Sequence, residues 1–139
     1  MCLESLREAA QNGDANSQFT YGYRYFKGMD VEQNQEYGLS WIMKAASQNH
    51  ACAQAWLSMC YRHGTGVDKD EQKSFYWLEK AAINGHAISQ SSLGNVYYYG
   101  DESHEPNYEK AVEWYAKASQ QDDEGAQVQL AICYALGKG

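Results

Sequence analysis

Proline is almost absent from this chain: Pro106 is the only one in 139 residues. There is no glycine- and serine-rich tract either, so nothing marks a flexible linker or an internal domain boundary. No apolar run approaches the roughly 18 residues of a membrane span. The opening Met1-Cys2-Leu3-Glu4-Ser5-Leu6-Arg7-Glu8 lacks the apolar centre of a secretion signal. Basic side chains are scarce, with 11 Lys and Arg against 18 Asp and Glu, for a net charge of −7. That balance argues against nucleic acid or an anionic membrane as the main partner, because both demand clustered Lys and Arg. The four cysteines include no C-x-x-C. Cys52 and Cys60, eight residues apart on one expected helix, would lie roughly 12 Å apart, beyond the roughly 4.4–6.8 Å Cα separation of a disulfide. Reduced thiols, and hence a cytoplasmic setting, are expected.

What the chain does have is a period. Trp41, Trp77 and Trp114 stand 36 and 37 residues apart, each followed at the fourth position by Ala45, Ala81 and Ala118. Gln18, Gln54, Gln90 and Gln127 keep the same spacing. Tyr25, Tyr61, Tyr97 and Tyr134 follow seven residues later, and Gly28, Gly64, Gly100 and Gly137 three after those. A repeat of this length signals a solenoid whose units bury their apolar faces by stacking on neighbours.

Each unit reads as a helical hairpin. In the second, Ala53, Leu57 and Tyr61 make one apolar stripe on a helix A from about 51 to 63. Gly64 ends it, Val67 turns inward, and Asp70 caps a helix B running to about 83. Asn34 and Asn107 fill the same capping slot. The connection from Asp101 to Asn107 carries a one-residue insertion and is expected to be a surface loop. Small residues recur where helices must approach closely: Gly22, Ser58, Gly94 and Ala131 on helix A, and Gly38, Ser74 and Ala111 on helix B. The expected fold is all-α, a right-handed α/α superhelix of antiparallel hairpins forming a single domain over 1–139. Its full units are placed at about 15–49, 51–85 and 87–122, with half units at 2–13 and 124–137.

The run Ala53-Gln54, Leu57, Tyr61, Gly64-Thr65-Gly66-Val67, Asp70, Lys73, Trp77, Lys80-Ala81-Ala82 resembles the signature of Sel-one-like repeats, relatives of the tetratricopeptide repeat. The third unit matches through Leu93-Gly94, Tyr97, Gly100, Lys110-Ala111, Trp114 and Lys117-Ala118. The first is looser, with Tyr21 for Leu, Asp30 for the second loop glycine and Tyr37-Gly38 for Lys-Ala. The likeness covers about residues 9 to 139. It implies a noncatalytic adaptor or scaffold, with helix A lining a concave groove that takes a protein or peptide.

By that analogy the groove positions include Phe19, Tyr23, Phe26 and Lys27 in the first unit, and Met59, Arg62 and His63 in the second. Asn95, Tyr98 and Tyr99 follow in the third. Aromatic and Met side chains with an occasional Arg suit peptide recognition. Trp41, Trp77, Trp114 and the periodic tyrosines are assigned to packing. The chain stops where a fourth helix B should start, so either the parent continues or the last helix docks end to end on another copy.

Catalytic and metal motifs are wanting. No S-x-x-K, H-E-x-x-H, G-x-S-x-G or P-loop occurs. Asp68, Asp70 and Glu79 have calcium-loop spacing, but Lys73 stands where that loop needs glycine. His50 and His86 are repeat-equivalent to Asp14 and Asp123 and read as helix-entry residues rather than ligands. His104 with Glu102 and Glu105 reads as a solvated loop. No cofactor or metal is expected. The alternative function is a small-molecule binder or hydrolase, as in cysteine-rich, β-lactamase-like repeat relatives, whose paired cysteine in each repeat is missing here.

Overall fold

The computed structural model describes residues 2–139, and among them every regular element is an α-helix. The helices are α1 (Leu3–Gln11), α2 (Ala15–Lys27), α3 (Gln35–Ser47), α4 (Ala51–His63), α5 (Glu71–Ile83), α6 (Ala87–Tyr99), α7 (Tyr108–Ser119) and α8 (Glu124–Ala135). None is long and apolar enough to cross a membrane. Consecutive helices pair as antiparallel hairpins, α2 with α3, α4 with α5 and α6 with α7. The chain divides into two compact units, one up to Asn84 and the other from Gly85 onward.

Capping fixes where the helices begin. Asp14, Asn34, Asp70, Asn107 and Asp123 each accept a hydrogen bond from the backbone N–H three residues on, as expected for Asn34, Asp70 and Asn107. His50 and His86 do the same through ring Nδ1, which accepts from Ala53 N–H at 3.1 Å and Ser89 N–H at 3.2 Å. Gly28 and Gly64 end α2 and α4 in the left-handed conformation. Gly100 differs, with φ 71° and ψ 176°. There the inserted residue makes a wider turn, closed by Asp101 N–H donating to the His104 carbonyl at 2.8 Å. A Cβ on Gly100 would stand 2.8 Å from that carbonyl oxygen, so only glycine fits.

In the first unit the core joins Phe26, Leu39, Ile42, Ala45, Ala46, Ala53, Leu57 and Cys60, with Val67 and Trp77 packed on it. Each fully buried aliphatic side chain such as Ile42 or Leu57 contributes roughly 1.5–3 kcal/mol. A second cluster, Leu6, Ala10, Tyr21 and Trp41, ties α1 to α2 and α3. In the second unit Tyr115 fills the centre, with Ala111, Ala118, Ala126 and Cys133 around it.

The small-residue crossing is built three ways. At the first hairpin a Cβ on Gly22 would come 2.5 Å from the Gly38 carbonyl oxygen, and one on Gly38 equally close to that of Gly22. At the second, Ser58 and Ser74 exchange bonds, each hydroxyl donating to the other's carbonyl at 2.8 and 2.9 Å. At the third the Tyr115 ring lies against Gly94, where a Cβ would meet it at 2.7 Å.

The periodic glutamines close the loops between hairpins. Gln18 Nε2 donates to the Ala10 carbonyl at 3.1 Å, and Gln54 Nε2 to that of Ala46 at 3.0 Å. Their Oε1 atoms accept from Gln48 and Asn84, at 2.8 and 2.9 Å. In the second unit Gln121 donates to Gln90 Oε1 and to the Gly85 carbonyl, both at 2.9 Å. Sequence spacing marked these positions without revealing that they satisfy helix-end carbonyls.

Candidate functional site

The structure brings part of the expected groove together in the first unit, on the adjoining faces of α2 and α4. Phe19, Tyr23 and Lys27 recur at four-residue steps, so they share one stripe of α2. Trp56 of α4 meets that stripe. Its ring lies 5.2 Å from Tyr23 at 72°, and Lys27 Nζ sits 5.3 Å over the indole. Phe19 is 6.1 Å from Tyr23 and stacks on His50 at 5.1 Å. His50 Nε2 and Asn16 Oδ1 are 2.7 Å apart. Since Nδ1 already accepts from Ala53, Nε2 carries the proton and donates to Asn16. Phe19, Tyr23 and Trp56 are half-buried, so one edge of each stays in contact with solvent.

Phe26 is corrected. It is 2% exposed and belongs to the core, not to a binding surface. Trp56 covers it edge-on at 5.4 Å and 88°, and the α4–α5 loop closes over it at Gly66. Its repeat-equivalent Arg62 is exposed, as are His63 and Met59, the last at 55%.

Trp56 was not among the sequence candidates. The signal was available: it is the one tryptophan that does not share the 36–37-residue spacing, and Thr20, Ser92 and Gln129 hold its place in the other repeats. Its indole N–H is also the sole buried side-chain polar atom without a hydrogen-bond partner among the described residues.

Charge on these two helices runs one way. Neither α2 nor α4 contains an acidic residue, while Arg24, Lys27, Arg62 and His63 fall in their last turns. Burial lowers the His50 imidazole below its ordinary range, with Asp14 opposing, and burial also lowers His86. Burial pushes the Cys60 thiol up to about 11, against the charge of Lys27. All four thiols are free, Cys2 and Cys52 exposed and Cys60 and Cys133 buried.

The second unit holds the remaining candidates. Tyr98 is half-buried, 4.8 Å from Tyr99 and 5.4 Å from Tyr108. Lys138 Nζ lies 4.5 Å over Tyr108 and 5.3 Å over Tyr98. Tyr99 is 64% exposed. Asn95 is exposed but engaged, its Oδ1 accepting from the Tyr115 hydroxyl at 2.5 Å. Among the described residues no group of His, Cys, Asp and Glu is arranged to hold a metal ion.

The Sel1 repeat matches this chain at residues 15–50, 53–86, 87–123 and 125–139, in register with the hairpins. The chain belongs to the Sel1 repeat family. A Sel1 repeat protein of Oxalobacter formigenes superposes with a TM-score of 0.93 at 33% identity, over 98% of this chain and 39% of its own. A protective antigen of uropathogenic Escherichia coli with the same repeat fold gives 0.87 at 30% identity, over 99% of this chain and 29% of its own. A sel1-like repeat-containing protein of Acanthamoeba polyphaga mimivirus is 34% identical over 47 residues, 34% of this chain and 8% of that protein. The chain therefore spans well under half the length of these relatives, and Sel1 membership fixes its architecture as an α/α solenoid of helical hairpins.

Proposed function

We propose that this Sel1 chain is a noncatalytic protein-interaction scaffold that holds a peptide or protein segment on the α2–α4 face. One observation carries the reading: Phe19, Tyr23 and Trp56 form a half-buried aromatic ridge outside the recurring Trp, Tyr, Gly and Ala positions of the repeat. Large, rigid aromatic rings beside exposed Arg and Met supply contact area at low entropic cost. Arg62, His63 and Met59 extend the surface along α4, and Tyr98 and Tyr99 offer a separate aromatic patch in the second unit. Peptides selected on the native protein from a random-sequence display library test it. Binding lost on Tyr23→Ser, with helical content unchanged by circular dichroism, is expected; undiminished binding overturns the reading. The hydrolase alternative has no feature in its favour, since the cysteines are not paired. Free thiols fit a cytoplasmic setting.

Self-association through α8 is a separate proposal. Val128, Ile132 and Leu136 are exposed along one face, and Tyr134 is 64% exposed. The α4 equivalents of Leu130 and Ala131, namely Leu57 and Ser58, are buried, with Ser58 bonded to Ser74 of α5. We propose a second copy of this chain as the occupant of that face. Sedimentation equilibrium checks it: association that disappears on Ile132→Glu is expected, and a strict monomer at high concentration overturns it.

A further inference from the structure

We propose that the partner segment taken by the α2–α4 face is acidic, with an aromatic or long aliphatic side chain beside its carboxylates. This rests on the binding-surface reading above and adds the chemistry of the occupant. The chain carries a net charge of −7, yet α2 and α4, 13 residues each, contain no Asp or Glu. Helix dipoles do not account for this. They favour acids in the first turn, and Glu4, Glu36, Glu71 and Glu109 occupy that turn in α1, α3, α5 and α7. On α2, α4 and α6 acids are missing even there, and of these three only α2 and α4 also carry cations in their last turns.

The dipole does favour cations in last turns, but Lys27 and Arg62 are exposed and make no ion pair among the described residues. Lys27 rests instead over the Trp56 ring at 5.3 Å, a weak contact that a carboxylate would readily replace. The face is therefore polar along its length. Asp14 and the His50 imidazole, which burial keeps neutral, stand at one end and the cations at the other, roughly 20 Å away along a 13-residue helix. An acidic segment would set its carboxylates at Lys27 and Arg62 and its apolar side chain against Tyr23 and Trp56. A phosphate polymer fits poorly, because so few cations on an acidic protein cannot hold a charged backbone.

The test sequences the peptides that the native protein enriches from a random-sequence library. Acid-rich peptides with an aromatic or aliphatic anchor are expected. Their affinity should fall as salt rises and drop about tenfold or more in the Lys27→Glu, Arg62→Glu double variant. Both side chains are exposed, so folding, checked by circular dichroism, should be unaffected. Enrichment of neutral or basic peptides that still need Tyr23 overturns the acidic partner and leaves the surface reading standing. No enrichment, or binding indifferent to Tyr23 and to the two cations, overturns both. Displacement of the peptides by oligodeoxythymidylate at equal concentration overturns the acidic peptide in favour of nucleic acid.

Discussion

Gln54, fully buried on α4, donates its side-chain amide to the carbonyl of Ala46 at the end of α3, across 3.0 Å. Its own oxygen accepts from Asn84 at 2.9 Å, so one side chain serves the ends of both flanking B helices. Replacing it with an apolar isostere removes both bonds, though the Ala46 carbonyl keeps the Asn49 N–H at 3.1 Å and the exposed Asn84 amide reaches water. With two bonds lost and no group stranded, Gln54→Met should cost about 2 kcal/mol, roughly 1 per bond. Gln127 holds the same repeat position but is exposed, with its contact to Ser119 stretched to 3.5 Å. Gln127→Met should stay within about 0.5 kcal/mol of the parent. Urea unfolding with unchanged slope separates the two, and equal effects would mean the buried bond is not what the repeat needs.

The α2–α3 crossing makes a second prediction. A Cβ on Gly38 would meet the Gly22 carbonyl oxygen at 2.5 Å and the Phe26 nitrogen at 2.6 Å, both backbone atoms that cannot swing aside. Overpacking of this kind costs about 3 kcal/mol, offset by about 1 kcal/mol of helix propensity gained over glycine. Gly38→Ala should thus lose about 2 kcal/mol. Ser74→Ala, at the equivalent position, removes the bond to the Ser58 carbonyl and the longer 3.4 Å contact with its hydroxyl, and should lose about 1 kcal/mol. Thermal unfolding of the two variants side by side checks the order.

Much of this was legible in the sequence because the repeat repeats its physics. Asp70, Asn34 and Asn107 cap as their side chains require, and Gly28 and Gly64 end helices where spacing places them. Phe26 was not legible. The tetratricopeptide analogy put it in the groove, but its cover comes from Trp56 and from the loop at Gly66, two elements remote in sequence. Trp56 escaped for the opposite reason: a search for what recurs passes over the residue that does not.

Histidine capping predicts a pH dependence. His50 and His86 cap α4 and α6 only while Nδ1 is unprotonated, and burial lowers both folded-state pKa values below the ordinary 6.5. The unfolded chain then binds protons more readily than the folded one, so stability must fall as pH drops. The loss starts as pH passes down through about 6.5 and ends below the folded values. Asp14 and Asp123 do the same work in the other repeats, so the double variant His50→Asp, His86→Asp should flatten this part of the profile. Melting temperatures from pH 8 to 5, an interval that spans about 6.5, provide the measurement; parallel profiles for parent and variant would remove the histidines from the account.

Trp56 allows packing and recognition to be separated. Its ring closes over Phe26 and beside Tyr23, while its N–H is buried without a partner. Trp56→Phe keeps an aromatic ring in the same contacts and removes the unsatisfied donor. The small cavity it leaves costs stability, but removing a stranded donor returns about 1–3 kcal/mol. The two terms oppose, so the variant should lie within about 1 kcal/mol of the parent. Trp56→Ala removes the indole's share of the cover over Phe26 and should cost about 3 kcal/mol. If a bound segment reaches this indole once Lys27 moves aside, the Trp56 indole N–H resonance will shift on adding the selected peptides. Trp56→Phe will then weaken binding while leaving stability intact. A resonance that stays still, with affinity unchanged in Trp56→Phe, would confine Trp56 to packing.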